Sequence, residues 1–315
     1  MTYGLLILWL LSGLAIVFEN RTYRLIIYFS IFSLITSVAY FLLGSPDVAM
    51  AEAAIAAFST IFFVICIEKY YSHRENVTQD RIRREPLLRR VGGVLPALLL
   101  CIGLFVLVVI HIPEAEAMYY LKYEYLQRFM HEIGGENAVT AIYLGYRVYD
   151  TLFEALILVI AVVAVSHMSY FEAIKVAEGT HSEIETSRVA ALSLRIICPI
   201  ILVFGIYLIL NGHISAGGGF QGGLALATFF ICRYMVYDIY DISVEKVLHW
   251  EEMIFLGIII VTVIAVFLGV GNIIPAAILP FYQGAYLIVM NFLIGLKVAC
   301  GFFFLFYRYI TIERR

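Results

Sequence analysis

Long apolar runs, repeated along nearly the whole chain, constrain the fold more than any other feature. A bilayer core is crossed by about 20 apolar residues in a helix, and about nine runs reach or approach that length: Tyr3–Phe18, Leu25–Leu43, Val48–Ile67, Val91–Ile112, Thr151–Tyr170, Leu192–Leu210, Gly217–Val236, Met253–Val270 and Tyr282–Tyr307. The first is short and the last is long. In hydrocarbon every backbone group must be satisfied within the segment, which leaves helices for spans of this kind. The expected fold is therefore all-α, a polytopic transmembrane helical bundle with about nine spans. Composition agrees: 63% of residues are hydrophobic and 14% charged, where a soluble domain is about half apolar and a quarter charged. The lipid bilayer is thus the chain's first partner.

Several classes are excluded by the sequence. A net charge of −3 leaves no basic surface for nucleic acid. The five cysteines, Cys66, Cys101, Cys198, Cys232 and Cys300, sit in or beside apolar runs and form no CxxC pair, so zinc, iron–sulfur and disulfide frameworks are not expected. The first run lacks a basic n-region and ends at Phe18-Glu19-Asn20 without a small-residue cleavage site, which reads as a membrane span rather than a removed signal.

Two hydrophilic linkers divide the chain. Residues 1–70 form a three-span block, followed by a basic linker over 71–90. Residues 91–170 hold two spans and a long loop, and a second linker covers 171–191. Residues 192–315 hold four spans. No fixed-period repeat appears, and the blocks look like three small membrane proteins joined. The basic linker, with Arg74, Arg81, Arg83, Arg84, Arg89 and Arg90, belongs in the cytoplasm by the positive-inside rule. That choice puts the N-terminus outside and the C-terminus inside. Arg21, Arg24, Lys175, Arg188, Arg233, Lys246, Arg308, Arg314 and Arg315 then all fall inside. Only Lys122, Arg128 and Arg147 fall outside, in the amphipathic loop Pro113–Asp150.

Polar residues inside the apolar runs form four islands. Ser45–Glu52 holds Asp47, suited to the N-cap of the third span, and Glu52, set among Ala51, Ala53, Ala54, Ala56 and Ala57. Small residues let helices approach closely. Asp47 is either a cap or part of an ion path, and Glu52 either a structural hydrogen-bond partner or an ion-path group. Tyr146–Glu154 places Asp150 and Glu154 on one helix face, with Arg147 near enough to neutralise Asp150. Glu154 enters the apolar run with no basic residue behind it, and an isolated buried carboxylate is expected to take and release protons near neutral pH.

Asn211–Gly223 contains His213, Gly217, Gly218, Gly219, Gln221, Gly222 and Gly223. It fits GxGxxG formally, but a dinucleotide fingerprint needs a strand and a soluble βαβ unit, and apolar runs flank it here. A tightly packed or broken membrane hairpin is the better reading, because irregular backbone at membrane depth must face protein or water. His213 adds a group that titrates near neutral pH. Lys297, deep in the last span, needs a carboxylate or carbonyl partner if it is to stay charged.

The islands together resemble the accessory membrane subunits of Mrp-type multisubunit cation/proton antiporters and the related membrane-bound hydrogenase and sulfur-reductase complexes. SPDVAMAEAAIAA at Ser45–Ala57 is similar to the small three-helix hydrogenase subunit, also found within the large MrpA protein. NAVTAIYLGYRVYDTLFEALILVIAVVAV at Asn137–Val165 is similar to the next module. NGHISAGGGFQGG at Asn211–Gly223 and NFLIGLKVACGFFFLF at Asn291–Phe306 resemble the MrpB protein. Ala216 and Phe153 stand where the family usually has Pro and Gly.

The resemblance implies a component of a Na+/H+ exchanger in a prokaryotic cell membrane. Its partners would be other Mrp-type antiporter subunits and, in a respiratory complex, hydrogenase or electron-transfer subunits. It implies Na+ and H+ as transported ions, no cofactor in this chain, and Glu52, Glu154, Asp47 and His213 as path candidates, to which the polar islands add Asp150 and Lys297. The rivals are a purely structural assembly protein and a stand-alone transporter. The absence of paired similar halves weakens the latter.

Overall fold

A computed structural model of the chain describes residues 2–19, 21–71, 99, 102–103, 106, 115–173, 188–237, 244–270 and 279–311. Most of both linkers, most of the expected span Val91–Ile112 and the segment containing Asn272 lie outside the described residues. Among the described residues every regular element is helical. The helices are α1 (Thr2–Phe18), α2 (Thr22–Leu42), α3 (Pro46–Tyr71), α4 (Ala115–Glu132), α5 (Ala138–Ala141), α6 (Val148–Ala173), α7 (Arg188–Asn211), α8 (Gly219–Tyr237), α9 (Val244–Val270) and α10 (Leu279–Thr311), with a π-turn at Ile142–Tyr146 between α5 and α6.

Six of these are long and apolar enough to cross a membrane: α2, α3, α6, α7, α9 and α10, with α1 offering a shorter apolar stretch over Ile7–Phe18. Among the described residues this accounts for six full-length spans, and the expected count of nine includes Val91–Ile112, most of which lies outside them. The seventh expected span is a helix, α8, but its glycines and Gln221 dilute its hydropathy. The eighth starts earlier than its apolar run: α9 begins at Val244, and its membrane-competent stretch runs Lys246–Leu268, bringing Glu251 inside.

The chain divides into two compact units. One combines residues 1–69 and 129–315, and the other covers 70–128. In the smaller unit the body of α4 carries a Glu124–Arg128 ion pair of 3.0 Å and exposed Tyr120 and Tyr123. Much of the expected outer loop is thus helix.

In the larger unit local signals explain the boundaries. At the end of α2, Ser45 N–H donates to Tyr40 O at 2.9 Å and Gly44 N–H to Phe41 O at 3.1 Å, with Gly44 at φ 79°. This is a Schellman stop, which favours glycine in the left-handed position. Pro46 then opens α3, where a missing N–H costs nothing. Trp9 Nε1–H donates to Thr36 Oγ1 at 2.9 Å, tying α1 to α2, and Ser37 Oγ–H donates to Ala49 O at 2.7 Å, tying α2 to α3.

The core gathers on α10. Inside its membrane window 61% of residues are buried, against 17–22% in the other five, so α10 is the central helix. Leu287, Met290, Ile294, Val298, Phe303 and Phe306 of α10 pack with Leu224, Ala227 and Ile231 of α8, Ile258 of α9, Leu158 and Val162 of α6, and Phe58 and Ile65 of α3.

The seams on α8 are close because they are glycine. A Cβ at Gly222 would lie 2.7 Å from Gly205 O and 2.5 Å from Ile209 Cγ1. Gly222→Val therefore forces α7 and α8 apart. Overpacking of this kind costs about 1–3 kcal/mol. The expected outcome is a lower thermal unfolding midpoint of the purified chain in detergent, measured by intrinsic fluorescence.

Candidate functional site

Two of the four islands converge on one buried node, joined there by Asn137. Asp47 stands in the first turn of α3, Asn137 caps α5, and the α7–α8 hairpin runs Gly212–Gly218. Asn137 Oδ1 accepts from Val139 N–H at 2.9 Å, the usual work of an Asn N-cap. Its Nδ2 faces outward and donates to Asp47 Oδ1 at 2.9 Å, Ser215 O at 2.9 Å and Gly212 O at 3.1 Å. Gly217 N–H adds a bond to Asp47 Oδ1 at 3.1 Å. The hairpin holds this shape because Gly217 sits at φ 143°, where a side chain would be strained. The hairpin's other contacts reinforce it: Thr140 Oγ1–H donates to Gly212 O at 2.6 Å, and the N–H groups of Glu136 and Asn137 donate to His213 O at 2.8 and 3.1 Å.

Next to this node, Asn291 of α10 accepts at Oδ1 from Tyr143 OH at 2.9 Å and from Gly219 N–H, the first residue of α8, at 3.0 Å. Asn291 is fully buried. Its contact depends on Gly219, where a Cβ would lie 2.5 Å from Asn291 O. His213 contributes its backbone to the node. Its imidazole Nδ1 is buried with no hydrogen-bond partner among the described residues. Gln221 is half-buried on the first turn of α8.

Glu52 is half-buried in α3 and accepts a hydrogen bond from Ser33 Oγ–H of α2. Asp150 is exposed and ion-paired with Arg147, as their spacing suggests. Glu154 departs from expectation. It lies on the outer face of α6, exposed from this chain, beside Tyr149, Phe153 and Ile157, which are 64%, 62% and 66% exposed. The apolar sequence that follows Glu154 predicts burial in the bundle. Instead α6 turns Ala155, Leu158 and Val162 inward and leaves the glutamate face uncovered.

Lys297 does have a carboxylate partner. Its Nζ donates to Glu251 Oε1 of α9, and the two side chains are 1% and 0% exposed. Periodicity does not point to Glu251, because it precedes the apolar run starting at Met253. The signal that does find it is the requirement for a carboxylate opposite a lysine in mid-helix. Asn137 and Ser33 do not stand out in the sequence either, since one polar residue in an apolar window carries little information by itself. Among the described residues no group of three or more His, Cys, Asp or Glu side chains is placed to hold a metal.

These features define a multi-pass helical membrane protein with polar pairs between its helices. Residues 189–304 match the family described as a domain related to the MnhB subunit of Na+/H+ antiporter, and residues 7–71 match the MbhD family, the D component of MBH. A probable K(+)/H(+) antiporter A/B protein of Rhizobium meliloti is 24% identical over 76% of this chain, but the match spans only 26% of that longer relative. The Mrp complex from Dietzia sp. DQ12-45-1b shares the fold, with a TM-score of 0.70 at 16% identity over 98% of this chain and 34% of the matched one. A chain of the membrane-bound sulfane sulfur reductase, an archaeal respiratory membrane complex, gives a TM-score of 0.53 at 27% identity, covering 70% of this chain and 97% of that one. The chain thus carries an MbhD-like and an MnhB-related module, and in that combination it is similar to Mrp-type antiporter proteins.

The node makes a stability prediction. Asn137→Ala removes the donor that Ser215 O receives, and one of the two donors that Asp47 Oδ1 and Gly212 O each receive. Leaving such a group unsatisfied costs about 1–3 kcal/mol. Thermal unfolding in detergent should register a lower midpoint than for a surface control such as Tyr120→Ala.

Proposed function

We propose that this chain is a membrane component of a multisubunit cation/proton antiporter that exchanges Na+ for H+, and that its membrane carboxylates contribute to the ion or proton path. The observation that carries the reading is Glu154: a carboxylate in a membrane-competent helix, uncovered by its own chain. A charged group at membrane depth costs several kcal/mol when it faces lipid. Such a face calls for a neighbouring protein or a water-filled path, and both are what a path between subunits requires. Glu52 supports the same reading from the N-terminal block, where Ser33 holds one carboxylate oxygen.

The partners we propose are other Mrp-type antiporter subunits, with hydrogenase or electron-transfer subunits in complexes that carry a redox arm. The likeness to a respiratory membrane complex supports that extension. We divide the chain into three modules, 1–70, 91–170 and 192–315, joined by linkers at 71–90 and 171–191. In this reading the N-terminus is outside and the C-terminus is in the cytoplasm of a prokaryotic cell. The clustering of Lys and Arg supports that orientation.

A second reading has its own observation. Asp47 is engaged with both Asn137 and Gly217, which suits a residue that holds modules together. In that reading the chain serves assembly and its carboxylates are structural.

The two readings part on one experiment. The complex carrying Glu154→Gln is purified, its protein content is checked, and sodium-driven proton movement is followed in vesicles. The path reading expects full assembly with exchange reduced at least about tenfold, a conservative figure for losing one proton-transfer group. Exchange at the wild-type rate in an intact complex removes Glu154 from the path. Glu52→Gln, assayed alongside, is expected to reduce exchange while the complex stays whole.

A further inference from the structure

Lys297 is a path candidate from the sequence, but Glu251 and the pairing of the two have no role assigned by the module matches, and the chemistry of the pair goes beyond a structural tie. Both side chains are removed from solvent, at 0% and 1% exposure. A buried ion pair offsets its desolvation only when further hydrogen bonds satisfy the remaining lone pairs and protons. Here they do not. A carboxylate offers about four acceptor positions and an ammonium three donors. Lys297 Nζ meets only Oε1, and Oε2 of Glu251 is buried with no partner among the described residues. On its other side Nζ lies 5.2 Å from the centre of the Phe255 ring, one turn along α9, which supports a cation weakly.

We propose that Glu251 and Lys297 form a proton-holding site in the four-helix C-terminal module. The shared proton sits on Nζ in the ion-paired state and on Oε1 in the neutral state. In moving between them, one N–H bond breaks with its electron pair left on nitrogen, and one O–H bond forms. The net charge of the pair stays zero, so neither state buries an uncompensated charge. The neutral state lowers the unmet demand at Oε2, which becomes the weaker carbonyl acceptor of a carboxylic acid. The ion-paired state gains the attraction between the charges. A balance of this kind responds to any charge arriving nearby.

Cys300 stands one turn beyond Lys297 on α10. With Leu296 and with Val247, one turn before Glu251, it also lines a cavity of about 570 Å³. This site rests on the antiporter reading only for its biological use, and the test separates the two.

Infrared difference spectra are recorded on the purified complex in lipid, with pH and sodium varied, for wild type, Glu251→Gln and the double variant Glu251→Gln/Lys297→Gln. The proposal expects a protonated-carboxyl band in wild type that changes with pH or sodium and is missing from both variants. It also expects both variants to lose sodium-driven proton movement in vesicles. If the single variant fails to assemble, the double variant, which leaves an uncharged amide pair, is read in its place. Absence of any such band in wild type overturns the proton site. So does wild-type exchange by an assembled double variant. If wild-type vesicles show no exchange, the antiporter reading fails, and the spectra alone decide the site.

Discussion

Hydrocarbon supplies no hydrogen-bond partner, so each polar side chain in this bundle depends on another part of the chain or on a neighbour. The interior is organised around that demand. Glu52 takes Ser33 from the adjacent helix, Asp47 takes Asn137 and Gly217, Asn291 takes Tyr143 and Gly219, and Lys297 takes Glu251. These pairings join α2 to α3, α3 to the α7–α8 hairpin, the π-turn and α8 to α10, and α9 to α10. They need short distances between backbones, and the glycines of α8 provide them. At Gly219 and Gly222 even a methyl group would meet a carbonyl oxygen of a neighbouring helix.

The polar groups differ in how completely they are served. Asp47 has two donors on one oxygen and sits beside a glycine-shaped turn, an arrangement that resists change. Glu52 has one donor. Glu251 has an oxygen with none, and Glu154 is not covered at all. In the proposed reading, rigidity belongs to the better-bonded positions and ion or proton handling to the others. Proton or cation handling requires a group whose bonding is incomplete, because a saturated carboxylate has nowhere to receive a new partner.

Much of this could be read from the sequence, and the exceptions have physical causes. Apolar run length locates α2, α3, α6, α7, α9 and α10, because crossing a bilayer imposes a length that composition reveals. Gly44 before Pro46 marks the α2–α3 turn through backbone chemistry alone. The glycine cluster marks a tight hairpin for the same reason. What stays hidden is which way a helix faces when it is apolar all round. The helix α6 is apolar on every side beyond Glu154, so periodicity does not reveal that the glutamate points away from its own bundle. Glu251 is hidden by an edge effect: two consecutive glutamates before an apolar run look like a helix end in water. Only the unmatched lysine 46 residues later reveals that one of them is inside. Partners across large sequence separations, such as Asp47 with Gly217, are set by three-dimensional packing, and no local pattern encodes them.

The central helix has a mechanical consequence. Asn291 and Lys297 ride on the same unbroken stretch of α10, roughly 9 Å of axial rise apart. One is fastened to the hairpin and the other to α9. A helix is stiff along its axis, so the spacing between the glycine turn and the ion pair is set by one rigid rod.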